Sequence, residues 1–163
     1  MRKQRACDSM ERNNFVKKKK KSLIKAISAI DRYSQTYIGE NISKFGIGKG
    51  QWSFLTQLLF NEDGLTQEEL SYRIHIDKAN TARAIKILED KGYILRKEDP
   101  KDSRKKRVYV TDKSKEIEEE FHQVFKNLNS ILSSGFTDEE KEVSRKLLFR
   151  MLDNIISYRE NRN

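Results

Sequence analysis

From Ser22 onward the apolar residues recur every three or four positions: Leu23, Ile24, Ile27, Ile30, Tyr33, Tyr37 and Ile38. That spacing marks one face of an α-helix, and it predicts a first helix running to about Asn41. After a break at Gly46–Ile47–Gly48, Trp52, Phe54, Leu55, Leu58, Leu59 and Phe60 nearly encircle a second helix, which is therefore expected to be central and buried. Asn61 to Gly64 ends it, and Gly64 suits a left-handed C-terminal position. Thr66–Gln67–Glu68–Glu69 has the form of a capping box, in which hydroxyl and carboxylate satisfy orphan amides reciprocally. It opens a short third helix of about Gln67 to Arg73, with Leu70 as its chief apolar residue. Asp77 is a good N-cap for a fourth helix, Lys78 to Lys91, which Gly92 stops. Two short helices joined by a tight connection make a helix-turn-helix.

The period then changes. In Ile94–Thr111, Val108 and Val110 point to one face and Arg107 and Tyr109 to the other, as in a β-strand. Two short strands are predicted around a charged tip that holds Pro100, the chain's one proline. Thr111 is placed to cap a fifth helix through about Leu132, carrying Ile117, Phe121, Val124, Phe125 and Leu128. Ser133–Ser134–Gly135 breaks that helix. A second capping box, Thr137 to Glu140, opens a sixth with Val143, Leu147, Leu148, Met151, Leu152, Ile155 and Ile156. The expected fold is mainly α with a small β-wing and six helices. A winged helix-turn-helix spans 48–111, a helical dimerisation region spans 22–47 and 112–163, and 1–21 forms a basic N-terminal arm.

Composition changes this picture in one respect. Charged and apolar residues each make up 36% of the 163, and mean hydropathy is −0.86. That apolar share is low for a self-sufficient monomer, and long amphipathic helices sharing a core between two subunits explain it. A single Cys, Cys7, rules out an intramolecular disulfide and makes a reducing, cytoplasmic setting the default. No run of about 18 apolar residues is present, so no membrane span is expected, and the basic N-terminus is not followed by a signal-peptide core.

The net charge of +9 is unevenly spread. Residues 1–21 carry nine Lys/Arg against two acids, and 66–111 carry twelve against eight. The stretches between and after are balanced or slightly acidic. Lys17–Lys21 reads either as a solvated tail or as a phosphate tether whose contacts release counterions. The second basic block coincides with the fourth helix and the hairpin, which points to double-stranded DNA as a partner.

At 100° per residue, Lys78, Ala79, Ala82, Arg83, Lys86, Glu89 and Asp90 share one arc of the fourth helix, while Ala84, Ile85, Ile87 and Leu88 are expected to face the core. Long cations beside small alanines allow close approach to a groove, although a solvated amphipathic face looks similar. Recognition helices read base edges with their N-terminal residues. Arg83 suits guanine and Asn80 suits adenine, which leaves Lys78 and Lys86 for phosphates. At the hairpin tip, Asp102–Ser103–Arg104–Lys105–Lys106–Arg107 sets four cations behind one acid. An Arg there can enter a narrow minor groove, and Asp102 is placed to orient Arg104 through a bidentate pair. Edge-strand charges that deter aggregation are the plainer reading of the same residues.

Three stretches together, L-T-Q-E-E-L at Leu65–Leu70, D-K-A-N-T-A-R-A-I-K-I-L-E-D-K-G-Y-I at Asp77–Ile94, and the Asp102-x-Arg104 wing followed by V-Y-V-T, resemble the MarR family of bacterial transcription regulators. The resemblance covers about Ser22 to Tyr158. It implies a homodimer in which the first, fifth and sixth helices interlock, bound to a pseudo-palindromic operator. The recognition positions would then be Lys78 to Lys86, including Thr81, and the wing contacts Asp102, Arg104, Lys105 and Lys106. The family often has Val where Thr81 stands and Gly where Ser114 stands. Many relatives respond to small phenolic or anionic ligands. A small aromatic or anionic effector held by Tyr33, Tyr37, Trp52 and Phe54 is the corresponding expectation here, and an ordinary helix–helix core is the other reading of those four. Peroxide-sensing relatives carry a reactive Cys at a place matching Ile24, which cannot do that chemistry. Cys7 lies earlier, beside Arg2, Lys3 and Arg5, cations of the kind that lower a thiol pKa, and an inert thiol is the plainer reading of it.

Catalysis finds no support. His75 and His122 lie on different elements with no Cys near them, so zinc-ligand spacing is absent, and Gly46–Gly50 is not a phosphate loop. No enzyme activity, cofactor or metal is expected. The sequence reads as a DNA-binding transcription regulator, a repressor in the first instance. A winged-helix module whose basic face binds acidic protein is the alternative.

Overall fold

The computed structural model describes residues Ser22–Arg162. The chain divides into two compact units between Phe121 and His122. The first contains α1 (Leu23–Ile42), a 3-10 turn (Ser43–Phe45), α2 (Trp52–Phe60), β1 (Leu65–Thr66), α3 (Gln67–Arg73), α4 (Lys78–Asp90), β2 (Ile94–Asp99), β3 (Asp102–Val110) and α5 (Asp112–Glu116). α6 (Glu118–Leu132) begins in this unit, and its remainder with α7 (Asp138–Glu160) makes up the second.

The core of the first unit is built from the expected apolar faces. Phe54, Leu55 and Leu58 of α2, Leu70 of α3, and Ala84, Ile85 and Leu88 of α4 are buried, together with Leu65, Ile94 and Val108 of the sheet. α3 packs on α4, and α2 packs on α4 and β3. Both predicted capping boxes are present. Thr66 Oγ1 accepts from Glu69 N at 3.2 Å while Glu69 Oε2 accepts from Thr66 N at 2.7 Å. Thr137 and Glu140 repeat the arrangement at the start of α7.

The turn between α3 and α4 is closed by backbone bonds. Ile76 N donates to Ser71 O at 3.1 Å and His75 N to Tyr72 O at 3.2 Å, the paired bonds of a Schellman motif. His75 occupies the left-handed position at φ 53°, where glycine is usual. α4 ends in the same way: Tyr93 N donates to Leu88 O and Gly92 N to Glu89 O, both at 2.9 Å, with Gly92 at φ 73°. These two closures fix where α4 starts and where the chain turns into the wing.

β2 and β3 form the predicted antiparallel hairpin, with Ile94 opposite Val110 and Lys97 opposite Arg107. A third strand was not legible in the sequence. Leu65 and Thr66, the residues that lead into the capping box, pair with Val108 and Arg107, so the sheet order is β1-β3-β2. Two residues are too few to show an alternating pattern, which is why the segment reads only as a cap.

Among the described residues there are seven α-helices rather than the six expected, because the fifth is interrupted at Ile117. The reason lies in how α5 is tethered. Thr111 does not cap it through its side chain. Its hydroxyl instead donates to Gly92 O at 2.6 Å and Tyr93 O at 3.1 Å. Ser114, fully buried, donates its hydroxyl to the same Tyr93 carbonyl, and Lys113 Nζ donates to Lys91 O at 2.6 Å. α5 is thus bound to the base of the wing, and α6 starts afresh after Ile117.

Gly64 shows how little slack the sheet has. It stands at φ 74°, its N–H donates to Val108 O at 3.0 Å, and a Cβ there would lie 2.7 Å from the Tyr109 ring. Gly64→Ala is expected to destabilise the protein by about 1–3 kcal/mol through backbone strain and overlap. Urea unfolding checks this, and an unchanged midpoint would refute the close approach.

Candidate nucleic-acid interface

α4 presents its polar face through residues fixed at its N-terminus. Asp77 Oδ1 accepts from Asn80 N at 2.9 Å, capping the helix, and Asp77 Oδ2 accepts from Asn80 Nδ2 at 2.5 Å. Asn80 Oδ1 in turn accepts from Arg83 Nη2 at 2.6 Å. Lys78, Asn80, Arg83 and Lys86 are all exposed. Lys78 Nζ pairs with Glu68 Oε1 of α3 at 2.6 Å, and Lys86 pairs with Asp90 one turn on.

Two expectations for this helix are corrected. Thr81 is fully buried and its hydroxyl donates to Asp77 O at 2.9 Å, so it faces the core and not the recognition face. Ile87, expected inside, is 37% exposed. Both follow from where the core lies: Thr81, Ala84, Ile85 and Leu88 are the buried positions, and Ile87 stands about 110° from the centre of that arc. Ile87 therefore shares a face with Asn80 and Arg83.

The wing is organised by two carboxylates. Asp102 holds Arg104 as a bidentate pair, accepting from Nε at 3.0 Å and from Nη2 at 3.4 Å, and also accepts Arg104 N at 3.2 Å. The Arg104 side chain remains 90% exposed at the tip. These bonds from Arg104 hold the Asp102 carboxyl below its ordinary range. Lys105 and Lys106 are exposed as well and, with Gln67 and Glu68, line a shallow cleft of about 340 Å³ between the wing and the start of α3. Glu68 thereby stands between Lys78 and the field of Lys105, and both lower its pKa.

Asp99 and Arg107 form the second pair, and sequence reasoning missed its role. The Asp99 side chain is only 5% exposed. Its Oδ1 accepts Lys101 N at 2.7 Å, which closes the turn through Pro100, and its Oδ2 accepts Arg107 Nε at 2.5 Å. Arg107 Nη1 donates to Gly64 O at 2.7 Å and lies 3.9 Å from Glu69 Oε2. Arg107 is thus no free cation. It joins the hairpin to the β1 segment and to the capping box of α3. The only sequence signal was its strand parity, which puts it on the face of Tyr109 and not with Lys106 and Val108.

The four aromatic residues proposed for a ligand stand in different environments. Phe54 is buried in the core, Tyr33 is 71% exposed, and Tyr37 and Trp52 are half-buried, with Trp52 Nε1 donating to Gln35 Oε1 at 3.2 Å. Cys7 and the lysine run lie outside the described residues. Among the described residues no group of three or more His, Cys, Asp or Glu is placed to hold a metal ion, and no helix is long and apolar enough to cross a membrane.

Residues 49–106, which run from just before α2 to the wing cations, match the model of the MarR family. The MarR transcriptional regulator of Methanosarcina mazei Go1 superimposes with a TM-score of 0.78 at 42% identity, over 85% of this chain and 99% of that one. The chain belongs to the MarR family. It is accordingly a winged-helix transcription regulator. The HTH-type transcriptional regulator YybA of Bacillus subtilis strain 168 is 29% identical over 133 residues, 82% of this chain and 88% of YybA. A MarR family regulator from Listeria monocytogenes, solved in complex with 26mer DNA, has a TM-score of 0.78 at 26% identity, over 83% of this chain and 90% of that one.

The buried wing carboxylate makes a pH prediction. Asp99 is held below its ordinary range, first by the Lys101 N–H and then by Arg107. A carboxyl depressed in the folded state contributes stability that is present above its unfolded pKa and lost as pH falls through the folded value. Acidification below the ordinary carboxylate range should loosen the wing, read as lower amide protection factors in β2 and β3 once the intrinsic pH dependence of exchange is divided out. Asp99→Asn should make those protection factors insensitive to acid, and an unaltered acid response would show that another group controls them.

Proposed function

We propose that this MarR family member binds a pseudo-palindromic DNA operator as a homodimer and represses transcription from it in the cytoplasm. The observation that carries the reading is the placement of two cation-bearing elements on one unit. α4 offers Asn80, Arg83, Lys78 and Lys86 on an exposed face, and the wing, clamped to α3 by Arg107, offers Arg104 at its tip. In this reading the N-terminal half of α4 enters the major groove, Lys78, Lys86, Lys105 and Lys106 meet phosphates, and Arg104 enters the adjoining minor groove. The DNA complex of the Listeria relative supports it. Lys78–Glu68 and Lys86–Asp90 are exposed pairs, which gain little in high dielectric and so give way to phosphate at small cost.

The dimer rests on apolar surface that a lone chain leaves in water. Leu23, Ile24, Ile27 and Ile30 of α1 and Val143, Leu147, Leu148, Leu152 and Ile155 of α7 are exposed, Ile24 at 67%. Stripes of this size are uncommon on soluble monomers and are covered by a partner. A second copy supplies matching stripes and the second recognition helix that a pseudo-palindrome needs, about one DNA turn away. A small aromatic or anionic effector bound beside Tyr33, Tyr37 and Trp52 would release DNA by changing that spacing.

Selection of bound sites from random duplex DNA should recover a two-fold related sequence. Binding to it should fall steeply with salt. Arg104→Ala should weaken it at least about tenfold, the loss expected for a charge-assisted contact, while thermal unfolding stays unchanged. Equal affinity of the variant in a gel shift would remove the wing from the interface. If no duplex is bound at moderate salt and an acidic protein is, the basic face serves protein interaction instead. In sedimentation the wild type should be a dimer, and Leu148→Asp with Leu152→Asp should be a folded monomer. A wild-type monomer would overturn the dimeric reading.

A further inference from the structure

The chain Asp77–Asn80–Arg83 assigns the two polar residues at the start of α4 unequal jobs. An independent adenine reader turns its amide edge to the base, because adenine is recognised by the carbonyl oxygen and the NH₂ group together. In Asn80 one of the two N–H donors and one of the two carbonyl lone pairs are already engaged by protein, which fixes the plane of the amide. Its Nδ2 donates to Asp77 Oδ2 at 2.5 Å, and its Oδ1 accepts from Arg83 Nη2 at 2.6 Å. The amide cannot be reversed within this network. A flipped Asn80 would set its oxygen against the Asp77 carboxylate and its N–H groups against the Arg83 guanidinium. Asp77 is itself fixed, because its other oxygen caps the helix through Asn80 N at 2.9 Å. Arg83 by contrast uses one of its five N–H donors on Asn80, which leaves enough for a bidentate contact with guanine O6 and N7.

We propose that Asn80 is a positioning residue. It transmits the fixed geometry of the helix cap to Arg83, and Arg83 alone reads the base, a guanine, in each half-site. The inference rests on the DNA-binding reading above and deepens it by naming the base and dividing the work. Residues at i, i+3 and i+6 climb one side of the helix, so each side chain reaches the next. A long, exposed Arg held at one end loses less rotamer freedom on binding than a free one.

The test is a set of duplexes in which every base pair of the selected operator is varied in turn, with affinities measured by fluorescence anisotropy. Wild type should prefer guanine at one pair per half-site by about tenfold or more, and Arg83→Ala should abolish that preference. Asn80→Ala should lower the preference several-fold at the same base pair and at no other. Asp77→Ser, which keeps a capping oxygen but removes the one that holds Asn80 Nδ2, should do the same. Equal thermal midpoints and equal affinity for non-specific duplex DNA separate positioning from a folding defect. Relaxation of an A·T pair by Asn80→Ala, with the guanine preference intact, would overturn the proposal by making Asn80 a reader in its own right. Failure of wild type to enrich any sequence would instead overturn the DNA-binding reading, and this inference with it.

Discussion

Arg107 sits where the hairpin, the short third strand and the capped start of α3 meet, and its guanidinium is shared among all three. It donates to the buried Asp99 carboxylate and to Gly64 O, and it lies close to Glu69 of the capping box. A two-stranded hairpin is marginal by itself in water. Here the strand pair gains a third edge at Leu65–Thr66 and an ionic tie to a helix terminus. Without Arg107 the buried Asp99 carboxylate would keep the Lys101 N–H but lose its charged partner. The wing's direction relative to α3, and through α3 to α4, is held by that one side chain together with the buried Leu65, Ile94 and Val108 beneath it.

The other end of the wing is tied just as specifically. The Tyr93 carbonyl accepts from the amide and hydroxyl of Thr111 and from the hydroxyl of Ser114, while the Tyr93 hydroxyl donates to Phe45 O at 2.7 Å. Lys91 reaches Gly46 O. The residues that end α4 are thereby bonded both to the turn following α1 and to the start of α5. Ser114 is accommodated because its hydroxyl finds the Tyr93 carbonyl inside a buried site. A side chain without a donor would leave that carbonyl with one bond fewer.

What the sequence made legible was whatever depends on near neighbours. The capping boxes at Thr66 and Thr137, the N-cap at Asp77, the glycine stop at Gly92 and the Asp102–Arg104 pair all involve residues at most five apart, and their chemistry is written in order along the chain. The misses are all long-range. β1 exists because of Val108 and Arg107, some forty residues away. The break at Ile117 follows from bonds between α5 and the wing base, and the burial of Thr81 and exposure of Ile87 reflect where α2 and the sheet sit. A helical wheel gives angles but not the direction of the core. Thr81 falls on the wheel between Ile85 and Leu88, so its position pointed inward and only its polar type pointed outward, whereas Ile87 lies at the edge of the arc.

The same distinction governs what the basic residues mean. Twelve Lys/Arg between 66 and 111 look alike in a charge count, yet the structure divides them by how firmly each is already engaged. Arg107 and Lys91 are held by backbone carbonyls of distant segments and are part of the scaffold. Lys78 and Lys86 sit in exposed pairs with neighbouring carboxylates, which solvent and salt weaken readily. Arg104 is bound through one edge by Asp102 with the rest of its side chain in water, and is therefore both aimed and available. A net charge estimates non-specific attraction to a polyanion. A definite register needs exposed cations whose orientation is fixed before anything binds, and Arg83 and Arg104 are each held by an acceptor within three residues, Asn80 and Asp102.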